Sequence, residues 1–337
     1  MRIAVDAMGG DFAPVEIVNG AVQAARETSY GIKRLLLVGN ETALKAELDK
    51  LGPVPPNLEI VHAAEVVEMH ESPVSALRKK KDSSISRSVD LVKAGEADAV
   101  YSAGSTGAAV AASQLKLRTL AGIERPGIAA VMPTPQTPFV LLDAGATIDC
   151  TARIICQFAL MGEVYTREIL GVKNPRIGLL SIGEEDSKGN ETSKEAFKVL
   201  KAVPGLNFLG NVESKDIFKS KVDVVACDGF VGNVVLKTSE AVASAMSKWL
   251  KAGLTASLRR KLCALLLKDA FLEIKHKTDP ETYGGAPLLG VNGTVIIGHG
   301  SSSARAVRNG IRNAATAVHQ HINEHMIEAM KRLPENF

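Results

Sequence analysis

The sequence predicts an α/β fold, a largely parallel sheet flanked by helices. Three observations carry that expectation. Short apolar runs alternate with helical patterns of roughly 10 to 20 residues, and β-α alternation makes a parallel sheet. Most of the apolar runs are continuous, as in strands covered on both faces. Polar, glycine-bearing turns follow the runs, the usual place for ligands in such sheets.

The elements read in order along the chain. Ile3–Ala7 is the first strand, and Pro14–Glu27 is a helix with proline in its first turn. Strands Arg34–Val38 and Leu58–His62 follow, the second behind the rigid connection Pro53-Val54-Pro55-Pro56. Helix Ser84–Ala94 leads to strand Ala99–Ala103 and helix Thr106–Leu117. Ile128–Met132 and Phe139–Asp143 read as strands, Asp149–Arg167 as a helix, Arg176–Ile182 as a strand and Glu191–Ala202 as a helix. Asn207–Leu209 and Val222–Cys227 are further strands. The alternation then breaks: Asn233 to His276 carries two long helical patterns and no strand. Strand Thr294–Ile297 and helix Ser302–Lys331 close the chain. There is no internal repeat or low-complexity linker. The expected organisation is a single α/β catalytic unit over 1–337 with a helical-pair insertion at 234–277.

Composition removes several classes. The 337 residues are 46% hydrophobic and 23% charged, a soluble globular profile rather than a disordered one. Aromatics are 4% and the net charge is +3, which argues against nucleic acid as a partner. Cys150, Cys156, Cys227 and Cys263 show no C-x-x-C spacing, so a reducing cytoplasm is the expected location. Asp6 comes too early for a signal peptide. The longest apolar run, Leu262 to Leu267, is far short of the roughly 20 residues of a membrane span.

Six turns stand out. Five join Gly to Asp, Asn, Ser or Thr: Asp6-Ala7-Met8-Gly9-Gly10-Asp11, Ser102-Ala103-Gly104-Ser105-Thr106-Gly107, Asp143-Ala144-Gly145-Ala146-Thr147, Asp228-Gly229-Phe230-Val231-Gly232-Asn233 and His299-Gly300-Ser301-Ser302-Ser303. The sixth, Ile182 to Asn190, is longer and more charged. Each is ordinary turn chemistry taken alone. Together on one sheet edge, backbone amides and helix N-termini make a site for anions. A dinucleotide G-x-G-x-x-G, a Walker A motif and a G-x-S-x-G elbow are all missing. His321 and His325 have metal-ligand spacing, but no third ligand is evident and a solvated helix face explains them. His299 precedes a strong helix cap, so a structural role and a catalytic one both fit. The run Arg78-Lys79-Lys80-Lys81 is either a solvated face or a dock for an anionic ligand or acidic protein.

In this order, the motifs resemble the bacterial phosphate acyltransferase family, PlsX, nearly end to end. The resemblance rests on Asp6 to Asp11, Lys80-Lys81-Asp82-Ser83-Ser84, Ser102-Ala103-Gly104 with Thr106-Gly107, and Ile182-Gly183-Glu184-Glu185 with Lys188-Gly189. Cys227-Asp228-Gly229-Phe230 with Gly232-Asn233, Leu288-Leu289-Gly290 and His299-Gly300 complete it. Ser105 and Thr147 stand where the family usually has Asn. The resemblance implies a fold like the isocitrate and isopropylmalate dehydrogenases and phosphotransacetylases. It also implies a reaction in phospholipid synthesis, fatty acyl-[acyl carrier protein] plus inorganic phosphate giving acyl phosphate and free carrier protein. A homodimer is implied, and a next enzyme in the membrane such as a glycerol-phosphate acyltransferase; direct attack of phosphate on a thioester requires no metal, and no cofactor is expected.

The chemistry suits the residues. A thioester is already activated, so positioning and hydrogen-bond donors suffice. Lys188, His299, Asp228 and Asn233 are the expected catalytic set. Asp6, Gly9, Gly10, Asp11, Gly104, Ser105, Thr106, Gly107, Asp143, Gly145, Gly229 and Gly232 are expected to bind phosphate and thioester. Arg78, Lys79, Lys80 and Lys81 are expected to meet the carrier protein. Three rivals stay open: an acyl-CoA enzyme of phosphotransacetylase type, an isopropylmalate-type dehydrogenase, and a non-catalytic carrier-protein scaffold. Val242, Met246, Trp249, Leu250, Gly253 and Leu254 share one helical face within about 140°. This helical pair either packs in a dimer or on the sheet, or lays Trp249, Leu250, Leu254 and Leu258 on the inner surface of a membrane.

Overall fold

The computed structural model describes residues 1–334. In chain order the elements are β1 (Arg2–Asp6), α1 (Val15–Arg26), β2 (Arg34–Gly39), α2 (Glu41–Lys50), β3 (Leu58–His62), α3 (Pro73–Lys79), α4 (Ser84–Lys93), β4 (Ala99–Ser102), α5 (Thr106–Lys116), β5 (Gly127–Ile128), β6 (Ala130–Met132) and β7 (Phe139–Leu142). They continue with α6 (Ala152–Glu168), β8 (Ile177–Ser181), α7 (Glu191–Ala202), β9 (Phe208–Glu213), β10 (Val224–Ala226), α8 (Gly229–Thr255), α9 (Leu258–Leu266), α10 (Lys268–Thr278), β11 (Ala286–Leu289), β12 (Thr294–Ile297), α11 (Ala304–His319) and α12 (Ile322–Met330).

The fold is mixed α/β, but the expected sheet is two sheets. A seven-stranded sheet runs β3-β2-β1-β4-β12-β11-β5, and a five-stranded sheet runs β6-β7-β10-β8-β9. In the first, β3, β2, β1, β4 and β12 are parallel and β11 is antiparallel to both its neighbours. In the second only β6 is antiparallel. The run Ile128–Met132, read as one strand, is where the chain changes sheets. Ile128 pairs with Leu288 in the larger sheet, and Ala130 pairs with Leu141 in the smaller. Between them the Ala129 N–H donates to the Pro287 carbonyl at 3.0 Å. Most of this run is buried, so its hydrophobicity gives no sign of the change.

Burial explains the layers. Helix α6 is buried over most of its 17 residues. Thr151 caps it, accepting the Ile154 N–H at 3.3 Å. Its Phe158, Leu160 and Val164 share an apolar cluster with Val140, Leu142, Val224 and Ala226 of the smaller sheet. On the larger sheet Ile17 and Val18 of α1 and Val307 and Ile311 of α11 pack with Ile3, Val5 and Leu37. A third cluster joins Ala4 and Val100 of the larger sheet to Leu141 and Val225 of the smaller, so one core ties both sheets.

Several elements were not legible. α2 buries only Leu44 and Leu48, too few for a periodic signal. α3 ends in the basic run, which carries no apolar period, and β11 contains a proline. The last helix breaks into α11 and α12 at His321, whose φ is 50°. Helix α8 begins at Gly229 rather than Asn233, and the second helix of the pair is divided into α9 and α10. None of the described helices is long and apolar enough to cross a membrane.

Candidate active site

The six turns divide into two sets of three. Those after β1, β4 and β12 belong to adjacent strands of the larger sheet, and those after β7, β10 and β8 to adjacent strands of the smaller one. Adjacent strands lie about 4.8 Å apart, so each set is a compact edge.

In the first set β1 and β4 are paired in register, with Asp6 opposite Ser102. The Ser102 hydroxyl donates to Asp6 Oδ2 at 2.6 Å and accepts the Gly104 N–H at 3.2 Å. Asp6 therefore holds the turn that opens α5 through an intermediary serine. Asp6 is 2% exposed, and its Oδ1 has no hydrogen-bond partner among the described residues. Burial pushes its pKa up, opposed by the bond from Ser102. Asp6, Gly9, Val66, Ser84, Ser102, Gly104 and Ser105 line a cavity of ≈ 10 Å³, about the size of one water. A Cβ on Gly9 would sit 2.5 Å from Asp6 Oδ2 and 2.8 Å from the Gly104 nitrogen, so only glycine lets these two turns meet.

Ser105 caps α5 by accepting the Ala108 N–H at 3.4 Å. Thr106 and Gly107 are exposed. As the first residues of the helix their N–H groups have no acceptor within it. The third turn joins through the Asp11 N–H, which donates to the Gly300 carbonyl at 2.8 Å. His299 Nδ1 accepts the Ser301 N–H at 3.2 Å and lies 2.8 Å from Ser301 Oγ. In the neutral ring that fixes the proton on Nε2, making His299 a donor. The N-terminus of α11 is not an open anion site, because Glu16 Oε2 already accepts the Ala304 N–H at 2.6 Å.

The second set is organised by Asp143, which is fully buried. Its Oδ1 accepts the N–H groups of Ile128, Gly145 and Ala146 at 2.8, 2.9 and 3.0 Å, and its Oδ2 accepts that of Thr147 at 2.6 Å. Burial lifts its pKa and the N–H bonds oppose the rise. Asp228 caps α8, its Oδ1 accepting the Val231 N–H at 2.8 Å. The Gly229 N–H donates to the Thr147 carbonyl at 2.9 Å. A Cβ on Gly232 would overlap the Asp143 carbonyl oxygen, so α8 begins in backbone contact with the turn after β7. Asn233 is exposed and lies against Gly145. Lys188 is exposed on the turn after β8, closed by its N–H donating to the Glu185 carbonyl at 2.9 Å.

A family model described as "Fatty acid synthesis protein" matches residues 1–325. A phosphate acyltransferase of Geotalea uraniireducens is 50% identical over 337 residues, 100% of this chain and 95% of the relative. The chain belongs to the phosphate acyltransferase family. Its fold is also that of proteins of low identity. A phosphotransacetylase from Streptococcus pyogenes superposes with a TM-score of 0.64 at 20% identity, covering 95% of this chain and 94% of its own. A 4-hydroxythreonine-4-phosphate dehydrogenase from Klebsiella pneumoniae gives a TM-score of 0.54 at 14% identity, covering 94% and 98%.

The structure bears on the sequence reading in three further places. Lys80 is not available to a partner: its Nζ is bound to Glu71 Oε2 at 2.6 Å and to the Val66 carbonyl at 2.7 Å. Arg78, Lys79 and Lys81 are exposed. The helical pair does not cover the sheet, since Gly229 and Gly232 alone are buried in α8 and nothing is buried in α9. Trp249 and Leu258 are 73% and 76% exposed, Leu250 is exposed, and Leu254 is half-buried. The histidines His321 and His325 pair separately, with Glu324 at 3.1 Å and Glu168 at 3.5 Å. Ser102 was missed as a site residue, because a serine inside a short strand announces itself only once the register with Asp6 is known, and Ser84, the first residue of α4, because only the fold brings it to the same cavity.

Proposed function

We propose that this phosphate acyltransferase takes its acyl group from an acyl carrier protein thioester. A phosphate oxygen attacks the thioester carbonyl carbon, the carbon–sulfur bond breaks, and the phosphate proton ends on the carrier thiol. The products are acyl phosphate and free carrier protein. The observation that carries the reading is the pair of polar edges, one with open N–H groups at Thr106 and Gly107 and one with an exposed lysine, Lys188, that has no ion pair among the described residues. Phosphate sits on the first edge, where helix N-terminal amides favour an anion. Lys188 holds the phosphate anion and neutralises the charge that grows on the carbonyl oxygen. His299 donates a hydrogen bond from its Nε2–H to the leaving sulfur, whose proton comes from the phosphate. Asp6, Asp143 and Asp228 hold turns rather than phosphate, since their anions would repel it. The whole chain acts as one catalytic unit, with 234–277 an insertion, and works as a homodimer.

Carrier-protein thioester and phosphate are the substrates to mix. Acyl phosphate should form, with free carrier thiol released only when phosphate is present. Equal use of an acyl-CoA at the same concentration would instead favour the phosphotransacetylase-type reading. Reversing the charge of Arg78, Lys79 and Lys81 together should raise KM for the carrier about 10-fold or more while leaving KM for phosphate unchanged. An unchanged KM for the carrier rules this docking surface out.

The exposed arm supports a second property, reversible binding to an anionic membrane surface. Trp249, Leu258, Leu262 and Leu266 present apolar area beside Lys248, Lys251 and Lys261, as interfacial helices do. Sedimentation with anionic vesicles should pellet the protein and blue-shift Trp249, and Leu258→Glu should weaken both without changing the melting temperature. A folded, active wild type that neither pellets nor shifts would leave the arm to a dimer contact.

A further inference from the structure

The turns of the smaller sheet carry apolar side chains where turns are ordinarily polar. Ile148 follows the turn after β7, Ile182 opens the turn after β8, and Phe230 lies in the first turn of α8 after β10. They are 63%, 82% and 63% exposed. Val231 and Val234 beside Phe230 are exposed as well. Single exposed apolar residues need no explanation, but a contiguous group does. These belong to three neighbouring parallel strands whose ends are in register, Ala226 facing Leu142 on one side and Leu179 on the other. At about 4.8 Å per strand they fall on one short edge.

The apolar residues are interleaved with the polar ones. Phe230 follows Gly229, whose N–H anchors the turn on Thr147, and Ile148 follows Thr147 itself. Ile182 precedes Gly183 and the turn bearing Lys188. Whatever covers the patch therefore also occupies the polar edge. A second copy seated there would close that edge to substrate, whereas an amphiphile with a reacting polar head and an apolar tail would use both.

We propose that Ile148, Ile182, Phe230, Val231 and Val234 form the surface on which the acyl chain of the donor lies, and that they set its chain-length preference. This rests on the functional reading above. Phe230→Ser and Ile182→Ser should each cut the ratio of palmitoyl to butanoyl kcat/KM by about 10-fold, the worth of one large apolar contact. The side chain of Ile182 is the most exposed of the set, so its variant tests the idea without disturbing the core. Losses equal for the two donors would overturn the proposal. So would an unchanged ratio with a shift from dimer to monomer in sedimentation, the result expected of a contact between copies. If the wild type makes acyl phosphate from neither donor, the functional reading fails, and direct binding of a palmitoyl thioester decides the patch: weaker binding by both variants supports it, and undiminished binding refutes it.

Discussion

Replacing Asp143 with alanine should cost about 4 kcal/mol of stability. The carboxylate accepts four backbone N–H groups, from Ile128, Gly145, Ala146 and Thr147. Alanine leaves all four without an acceptor. Gly145 and Ala146 are partly exposed and can turn to water, but Ile128 and Thr147 are buried. A buried unpaired donor costs roughly 1–3 kcal/mol. The bond from Ile128 also crosses between sheets, because Ile128 ends β5 of the larger sheet and Asp143 follows β7 of the smaller. Asparagine should do less harm. Its side-chain oxygen keeps the acceptor for three of the donors, while its NH₂ faces the Thr147 N–H. Urea unfolding of the three proteins should rank wild type above Asn above Ala. An alanine variant within about 1 kcal/mol of wild type would mean that the turn is held by the α8 contact instead.

The polar half of the site was largely legible in the sequence, and the reason is chemical. Gly104-Ser105-Thr106-Gly107 and Asp228-Gly229 are local signals, in which capping and tight turning are decided by residues a few positions apart. What the sequence hid were facts of pairing. That six turns form two sets depends on the order β1-β4-β12 and β7-β10-β8, which no local pattern encodes. Ser102 acquires its role only from standing opposite Asp6. Lys80 looks like its neighbours in the basic run, and only the fold brings Glu71 to its amine. The apolar run Ile128–Met132 could not reveal a sheet change, because burial in either sheet asks for the same residues. The arm shows the converse. Its long amphipathic pattern was plain, yet amphipathicity does not say whether the apolar face meets a sheet, a partner or a lipid. The body of the chain leaves that face uncovered.

Lys188→Ala should lower acyl-phosphate formation by at least 10-fold, about 1.4 kcal/mol of barrier, with little effect on stability. The side chain is exposed, and its stem passes over Gly183. Two acids of its own turn are held from outside it, Asp186 by Lys201 at 3.0 Å and Glu184 by Lys221 at 3.6 Å, while Glu185 lies with the lysine stem over Gly183. That leaves the Lys188 amine without an ion-pair partner among the described residues, a positive charge on the turn after β8, the strand next to the one that leads to Asp228. An exposed amine with no ion pair to break can meet an anion directly. Its contribution should fall mainly on kcat, since charge on the carbonyl oxygen grows toward the transition state. Lys188→Arg keeps the charge but replaces a compact ammonium with a planar fork, so it should recover part of the rate. Lys188→Gln keeps length and hydrogen bonding without charge and should resemble alanine. A loss under 10-fold for alanine, or a glutamine variant as fast as the arginine one, would show that the charge takes no part in the reaction.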